Sequence, residues 1–222
     1  MSSAQKRFQA VLFDADGTLL DTLDDLADSM NSTLAHFGFP VHDREKYKYF
    51  VGEGMENLVR RALPDSARKD PGLVSRCSRL MRETYDKNWN NKTGPYPGIA
   101  ELLDGLSGNG ISMSILSNKP DVFMQKVARE LLPAWKFDIV MGERPPIPRK
   151  PDPTSAIAIA KQLGIKPEHF LYLGDTATDM VTANAAGMFA VGALWGFRTA
   201  EELNANGAKQ LVARPPELLD LL

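Results

Sequence analysis

Residues 11–22 read VLFDADGTLLDT: an apolar run carries two acids, Asp14 and Asp16, into a turn that holds Gly17 and Thr18. Carboxylates at the end of a buried strand are costly unless they are paired or bound to a cation. Three other stretches carry similar chemistry. ISMSILSN ends in Ser117 and Asn118 and is followed by Lys119; RKPDP carries Lys150; FLYLGDTATD supplies Asp175 and Asp179. Four carboxylates gathered in one place repel one another, and two unit charges about 4 Å apart cost about 4 kcal/mol at an effective dielectric of about 20. A hard divalent cation with oxygen ligands removes that conflict, and Mg2+ is the usual choice. Lys150, the Ser117 hydroxyl and the backbone donors of the turn at Gly17 and Thr18 would then cradle a dianion such as phosphate. A metal beside an anion cradle is the layout of phosphoryl transfer, where positioning and charge neutralisation do most of the catalysis.

These residues lie far apart in sequence and can act together only if the fold collects them. FQAVLFD (8–14) reads as a strand buried on both faces. After residue 95 the pattern alternates: helix 98–108, strand 111–118, helix 121–131, strand 137–143, helix 154–163, strand 170–175, helix 178–186, strand 188–194, strand 210–213 and a last helix over PPELLDLL. Alternation of this kind predicts a doubly wound, Rossmann-like parallel sheet of the α/β class, covered by helices on both faces. Ligands of such sheets bind outside the carboxyl ends of the strands, near the point where strand order reverses. Between the first strand and this alternation lie helical segments near 23–37, 43–50, 55–63 and 71–91, and residues 43–91 hold no convincing strand. The expected organisation is a core of 1–18 and 95–222 interrupted by an all-helical insertion, 19–94, with its hinge segments. Asp21 and Thr22 are expected to begin the first helix of that insertion.

Taken singly, most of these residues have plainer readings. Asp175 alone would be a helix cap, Lys150 alone a solvated lysine, and Ser117–Asn118 alone turn chemistry. An EF-hand loop does not fit DADGTLLDT, whose glycine falls at position four rather than six, counted from Asp14. The joint appearance of the groups at strand ends carries the inference. Bulk properties narrow the classes further. The chain has 222 residues, 43% of them hydrophobic, with 26 Lys and Arg against 28 Asp and Glu. That balance argues against a nucleic-acid-coating protein. No apolar run approaches the roughly 18 residues of a membrane span, and MSSAQKRFQAVLFD meets Asp14 before a signal-like run develops. Cys77 is the single cysteine, so no intrachain disulfide can form. A cytoplasmic protein, monomeric or homodimeric, without nucleic-acid or membrane partners is expected.

FDADGTLLDT, ILSNKP, RKPDP and GDTATDM together, in this order, resemble the haloacid dehalogenase-like hydrolase superfamily, and more narrowly its phosphoglycolate phosphatase group. The likeness spans nearly the whole chain. It includes the helical insertion, which corresponds to the family's cap, PYPG at the return to the core, and WGF at 195–197. The resemblance implies Asp14 as a nucleophile that forms an aspartyl phosphate, and Asp16 as the acid for the leaving oxygen and base for the hydrolytic water. It implies Mg2+ held by Asp14, the Asp16 carbonyl and Asp175, with Asp179 either a direct ligand or a partner one shell out. It implies phosphate binding by Gly17, Thr18, Ser117, Asn118 and Lys150. An acid at position 16 points to phosphate esters rather than carbon–halogen bonds. The implied activity is hydrolysis of a small phosphorylated metabolite such as 2-phosphoglycolate. The alternatives are a sugar phosphomutase of the same family and, further off, a pyrophosphatase or a non-catalytic binding protein. In the cap, Gly52, Glu53 and Arg60 are the candidate specificity residues, although Glu53 sits awkwardly with a carboxylate substrate.

Overall fold

The computed structural model describes residues 7–222. In chain order the elements are β1 (Ala10–Phe13), β2 (Leu20–Asp21), α1 (Leu23–His36), α2 (Arg44–Phe50), α3 (Met55–Ala62), α4 (Pro71–Asn88), β3 (Gly94–Pro95), α5 (Ile99–Gly108) and β4 (Ser112–Pro120). They continue with α6 (Asp121–Leu131), β5 (Ile139–Glu143), α7 (Thr154–Leu163), β6 (Phe170–Gly174), α8 (Ala177–Ala185), β7 (Phe189–Ala193), α9 (Ala200–Ala205) and β8 (Gln210–Val212). The chain divides into two compact units, one of residues 1–19 and 95–222, the other of residues 20–94.

The larger unit is built on a six-stranded sheet in the order β5-β4-β1-β6-β7-β8, and every adjacent pair is parallel. β1 lies centrally, between β4 and β6, where the winding direction reverses. Its four residues, AVLF, are all buried, as a strand covered by helices on both faces requires. β6 is buried throughout as well. Ala10, Leu12, Phe170 and Tyr172 pack with Ile159 of α7, with Met180 and Ala183 of α8 and with Leu203 of α9. This core fixes the two strands whose carboxyl ends carry Asp14 and Asp175.

Helix starts in this unit follow local chemistry. α8 opens on a capping box: the Thr176 hydroxyl accepts from the Asp179 N–H while the Asp179 carboxylate accepts from the Thr176 N–H. α9 opens on the same device with Thr199 and Glu202. The alternation read from sequence omits α9, whose six residues are too few for a periodic signal. The C-terminal PPELLDLL segment is a 3-10 helix over Pro215–Leu221 rather than an α-helix.

The smaller unit contains helices α1 to α4. Leu23, Leu26, Ala27, Met30 and Leu34 form the buried stripe of α1. Asp70 caps α4, accepting from the N–H groups of Gly72 and Leu73, with Pro71 at the first helical position. Asp25 is buried in α1. Its carboxylate accepts from the backbone N–H of Lys92 and of Thr93, each at 2.9 Å, and from the Thr93 hydroxyl at 2.8 Å. The expectation that Asp21 begins the first helix is corrected here: Asp21 lies in β2, and its Oδ1 accepts from Leu23 N–H at 3.3 Å. An aspartate's readiness to bond a backbone N–H two residues on favours this turn over helix. No helix among the described residues is long and apolar enough to cross a membrane.

Candidate active site

β1 hands Asp14 to the carboxyl edge of the sheet, where the Asp14 N–H donates to Leu173 of the neighbouring β6 at 2.9 Å. β6 in turn delivers Asp175 and, one turn into α8, Asp179. One carboxylate oxygen from each of Asp14, Asp175 and Asp179 can be chosen so that all lie within 4.8 Å of one another, and all three residues are buried. Lys150 enters this cluster with its side chain 2% exposed. Its ammonium lies 2.8 Å from Asp14 Oδ1 and 2.7 Å from Asp179 Oδ1, and it donates to the Leu116 carbonyl at 3.0 Å. Asn118 holds the lysine's backbone from both sides: its amide nitrogen donates to the Lys150 carbonyl at 3.1 Å and its Oδ1 accepts from the Lys150 N–H at 2.9 Å. Any part Asn118 takes in anion binding therefore acts on the same loop that presents Lys150.

Each acid is held differently. The Thr18 hydroxyl donates to Asp175 Oδ1 and the Phe197 N–H to Asp175 Oδ2, both at 2.8 Å. Asp179 divides its oxygens between Lys150 on one side and the Thr176 backbone and hydroxyl on the other. The Tyr172 hydroxyl, also buried, adds a longer contact of 3.4 Å to Asp179 Oδ1. Asp16 leaves this group and faces a second lysine: its Oδ1 lies 3.2 Å from Lys119 Nζ. The Ser117 hydroxyl accepts from the Lys119 N–H at 3.1 Å, at the end of β4.

Two glycines allow the approach. Gly17 adopts φ +85°, and a Cβ there would stand 2.3 Å from an Asp175 carboxylate oxygen. A Cβ on Gly196 would stand 2.3 Å from Asp175 Cβ and 2.5 Å from the Gly17 carbonyl oxygen. Trp195 closes the same seam by donating its indole N–H to the Thr18 carbonyl at 2.9 Å. The WGF segment is thus built onto the acidic loop.

The electrostatics record the crowding. Burial pushes the Asp14 carboxyl well above the usual carboxylate range, Asp179 and Asp175 push it further, and Lys150 opposes them. Asp175 is pushed up to about 7, by burial first and Asp179 next, against the pull of the Phe197 N–H and the Thr18 hydroxyl. Burial alone would depress Lys150, but Asp14 and Asp179 outweigh it and its pKa rises. One ammonium among three buried carboxylates leaves an excess of negative charge. A hard divalent cation suits the oxygen donors and that excess.

The cap candidates lie in the smaller unit. Glu53 pairs with Arg61 at 2.6 Å, and Asn57 donates to the Glu53 carbonyl at 3.2 Å. Arg60 pairs with Glu56 at 2.8 Å along α3. Gly52 takes φ +117° in the loop before that helix. Sequence reading gave no part to Tyr172, to Thr176 or to the Lys119–Asp16 pair. For Thr176 a signal was present, since Thr-x-x-Asp ahead of a helix is a capping-box pattern.

Comparison with known proteins places the chain in a family. The model of the haloacid dehalogenase-like hydrolase family matches residues 11–193. Phosphoglycolate phosphatase 1 of Pseudomonas aeruginosa is 34% identical over 206 residues, covering 89% of this chain and 75% of that protein. The phosphoglycolate phosphatase of Chromobacterium violaceum is 32% identical over 219 residues, covering 98% of this chain and 97% of its own. Among solved structures, a protein assigned as a phosphoglycolate phosphatase from Lactobacillus delbrueckii subsp. bulgaricus superposes with a TM-score of 0.90 at 30% identity, covering 96% of this chain and 98% of that one. The chain belongs to the haloacid dehalogenase-like hydrolases, and within them to the phosphoglycolate phosphatase-like group.

Proposed function

We propose that this chain is a Mg2+-dependent phosphatase that hydrolyses a small phosphate monoester, 2-phosphoglycolate or a close relative, through an aspartyl phosphate on Asp14. The observation that carries the reading is the buried Asp14 carboxylate, 2.8 Å from Lys150 and grouped with Asp175 and Asp179. An ionised carboxylate held beside a cation at a sheet's carboxyl edge is an activated nucleophile. Asp14, the Asp16 carbonyl, Asp175 and Asp179 would hold Mg2+, with Asp179 also anchoring Lys150. Bound there, the ion supplies positive charge that keeps Asp14 ionised and neutralises the phosphoryl oxygens.

In the first half-reaction an Asp14 oxygen forms a bond to phosphorus, the bond from phosphorus to the leaving oxygen breaks, and Asp16 gives that oxygen a proton. In the second, Asp16 takes a proton from water as the water oxygen attacks phosphorus. The Asp14–phosphorus bond breaks and inorganic phosphate leaves, with both acids restored. Lys150, Ser117 and the backbone N–H groups at Gly17 and Thr18 would bind the phosphoryl oxygens, and Asn118 would hold Lys150 in place for this. Gly52, Glu53 and Arg60 are the proposed contributors to substrate choice from the smaller unit. The proposed setting is cytoplasmic, acting on a free metabolite. The relatives' names support the substrate class, and the acid at position 16 supports an ester with a poor leaving group. Phosphate release from a panel of phosphorylated metabolites, scored by kcat/KM with and without EDTA, tests the reading. Release that persists in EDTA rejects the metal dependence, and equal rates across the panel reject 2-phosphoglycolate as the preferred class.

A further inference from the structure

We propose that Lys119 is the positioning residue for Asp16: its ammonium holds one carboxylate oxygen so that the other is presented to the leaving group. The inference rests on the phosphatase reading above and on four features of the larger unit.

The register between β4 and β5 shifts between Leu116 and Pro120, so Ser117, Asn118 and Lys119 leave the regular ladder. Such irregularities re-aim side chains at the ends of strands. The Lys119 backbone is fixed on both sides. Its N–H donates to the Ser117 hydroxyl, and its carbonyl oxygen lies so close to Gly142 that a Cβ there would be 2.5 Å away. The side chain is fixed as well, 5% exposed, with Nζ 5.2 Å from the centroid of the Phe123 ring. Lastly, Asp16 Oδ1 is buried and makes no well-formed hydrogen bond among the described residues. The charge that faces it is Lys119 Nζ at 3.2 Å.

Two lysines therefore divide two acids. Lys150 touches Asp14 and Asp179. Lys119 touches Asp16. With Oδ1 held, Asp16 keeps a single orientation, and Oδ2 is the oxygen that carries the proton to the leaving alkoxide as its bond to phosphorus breaks. A general acid works only within hydrogen-bond reach of the atom it protonates, and a misplacement of about 1 Å can cost about 100-fold. This work matters in proportion to the need for a proton. A simple alkyl phosphate needs one, because an alkoxide is a poor leaving group. A 2,4-dinitrophenyl phosphate does not, because its phenolate leaves readily unprotonated.

The test is the ratio of kcat for 2-phosphoglycolate to kcat for 2,4-dinitrophenyl phosphate in one enzyme preparation. The ratio is independent of the folded fraction, so a poorly folding variant still reports. Lys119→Met is expected to lower it about 30-fold or more, in the direction of Asp16→Asn. Lys119→Arg, which keeps the cation, is expected to recover most of the ratio. The double variant Lys119→Met/Asp16→Asn should fall no further than Asp16→Asn alone. An equal loss on both esters in Lys119→Met overturns the inference and makes Lys119 a structural residue. Failure of the unmodified enzyme to release phosphate from either ester overturns the phosphatase reading itself, and the inference with it.

Discussion

Lys150 Nζ lies 2.8 Å from Asp14 Oδ1, and the two side chains are 2% and 9% exposed. Water does not screen such a pair, so removing either partner leaves the other charge buried. Asp14→Asn is expected to reduce phosphate release by about 1,000-fold or more, because an amide cannot serve as the nucleophile. Phosphate assays on purified protein check this, and substantial residual activity rejects Asp14 as the attacking group.

Lys150→Met removes the one ammonium that Asp14 and Asp179 share. Breaking a buried pair costs about 3–5 kcal/mol, and part of that loss should return on adding Mg2+, which supplies positive charge to the same carboxylates. Urea unfolding with and without the ion measures both numbers. If the variant is as stable as the parent without Mg2+, the electrostatic account of the cluster is wrong.

Stability should depend on pH through the raised carboxyls. Asp175 is pushed up to about 7 in the fold, while an unfolded aspartate titrates near 4. Between those values the folded state binds the extra proton, so the Asp175 contribution to stability is present below about 4 and is lost as pH rises toward 7. The raised Asp14 acts in the same direction. Metal-free protein should therefore lose melting temperature from pH 5 to pH 8 on this account, and Mg2+ should restore it more at pH 8. At an ion concentration about 100 times Kd the gain is about 2.7 kcal/mol, or about 5–10 °C for a chain of this size. Thermal denaturation across pH with EDTA or Mg2+ would show the difference, and an equal Mg2+ effect at both pH values would contradict it.

Gly196→Ala should damage ion binding more than folding of the rest of the sheet. The new methyl meets Asp175 Cβ at 2.3 Å and the Gly17 carbonyl at 2.5 Å, so the WGF segment must move and the Phe197 N–H must leave Asp175. An affinity loss of about 10-fold or more for Mn2+, read by calorimetry, is the expected result. Unchanged affinity would mean that the segment does not hold Asp175.

In the smaller unit, Asp25→Ala strips the acceptor from the backbone donors of Lys92 and Thr93 and from the Thr93 hydroxyl. Each buried donor left without a partner costs about 1–3 kcal/mol, so a loss of about 3 kcal/mol in chemical unfolding is expected. A loss under about 1 kcal/mol would show that water replaces the carboxylate.

The parallel sheet was legible because its strands are buried on both faces and read as unbroken apolar runs, as in AVLF and FLYLG. Polar residues at their ends marked the carboxyl edge. Elements without such contrast were not legible. α9 is shorter than two helical turns, and the C-terminal apolar run opens on two prolines that fit a 3-10 turn as well as a helix. Asp21 was misplaced because its side-chain bond to Leu23 N–H competes locally with helix. Within the site, residues in recognisable strings stood out, Lys119 of ILSNKP among them, whereas its pairing with Asp16 did not. A lysine at a strand end looks like any solvated lysine until the shifted register and the Gly142 contact turn it inward.

The single carboxylate of Asp179 both caps α8 through Thr176 and anchors Lys150. One side chain thus serves folding and chemistry at once, and neither can be adjusted without disturbing the other. Attempts to evolve a new substrate preference in the laboratory would do well to hold position 179 constant. Any change there selects simultaneously for a different helix start and a different charge balance, and gains in one trait would be masked by losses in the other.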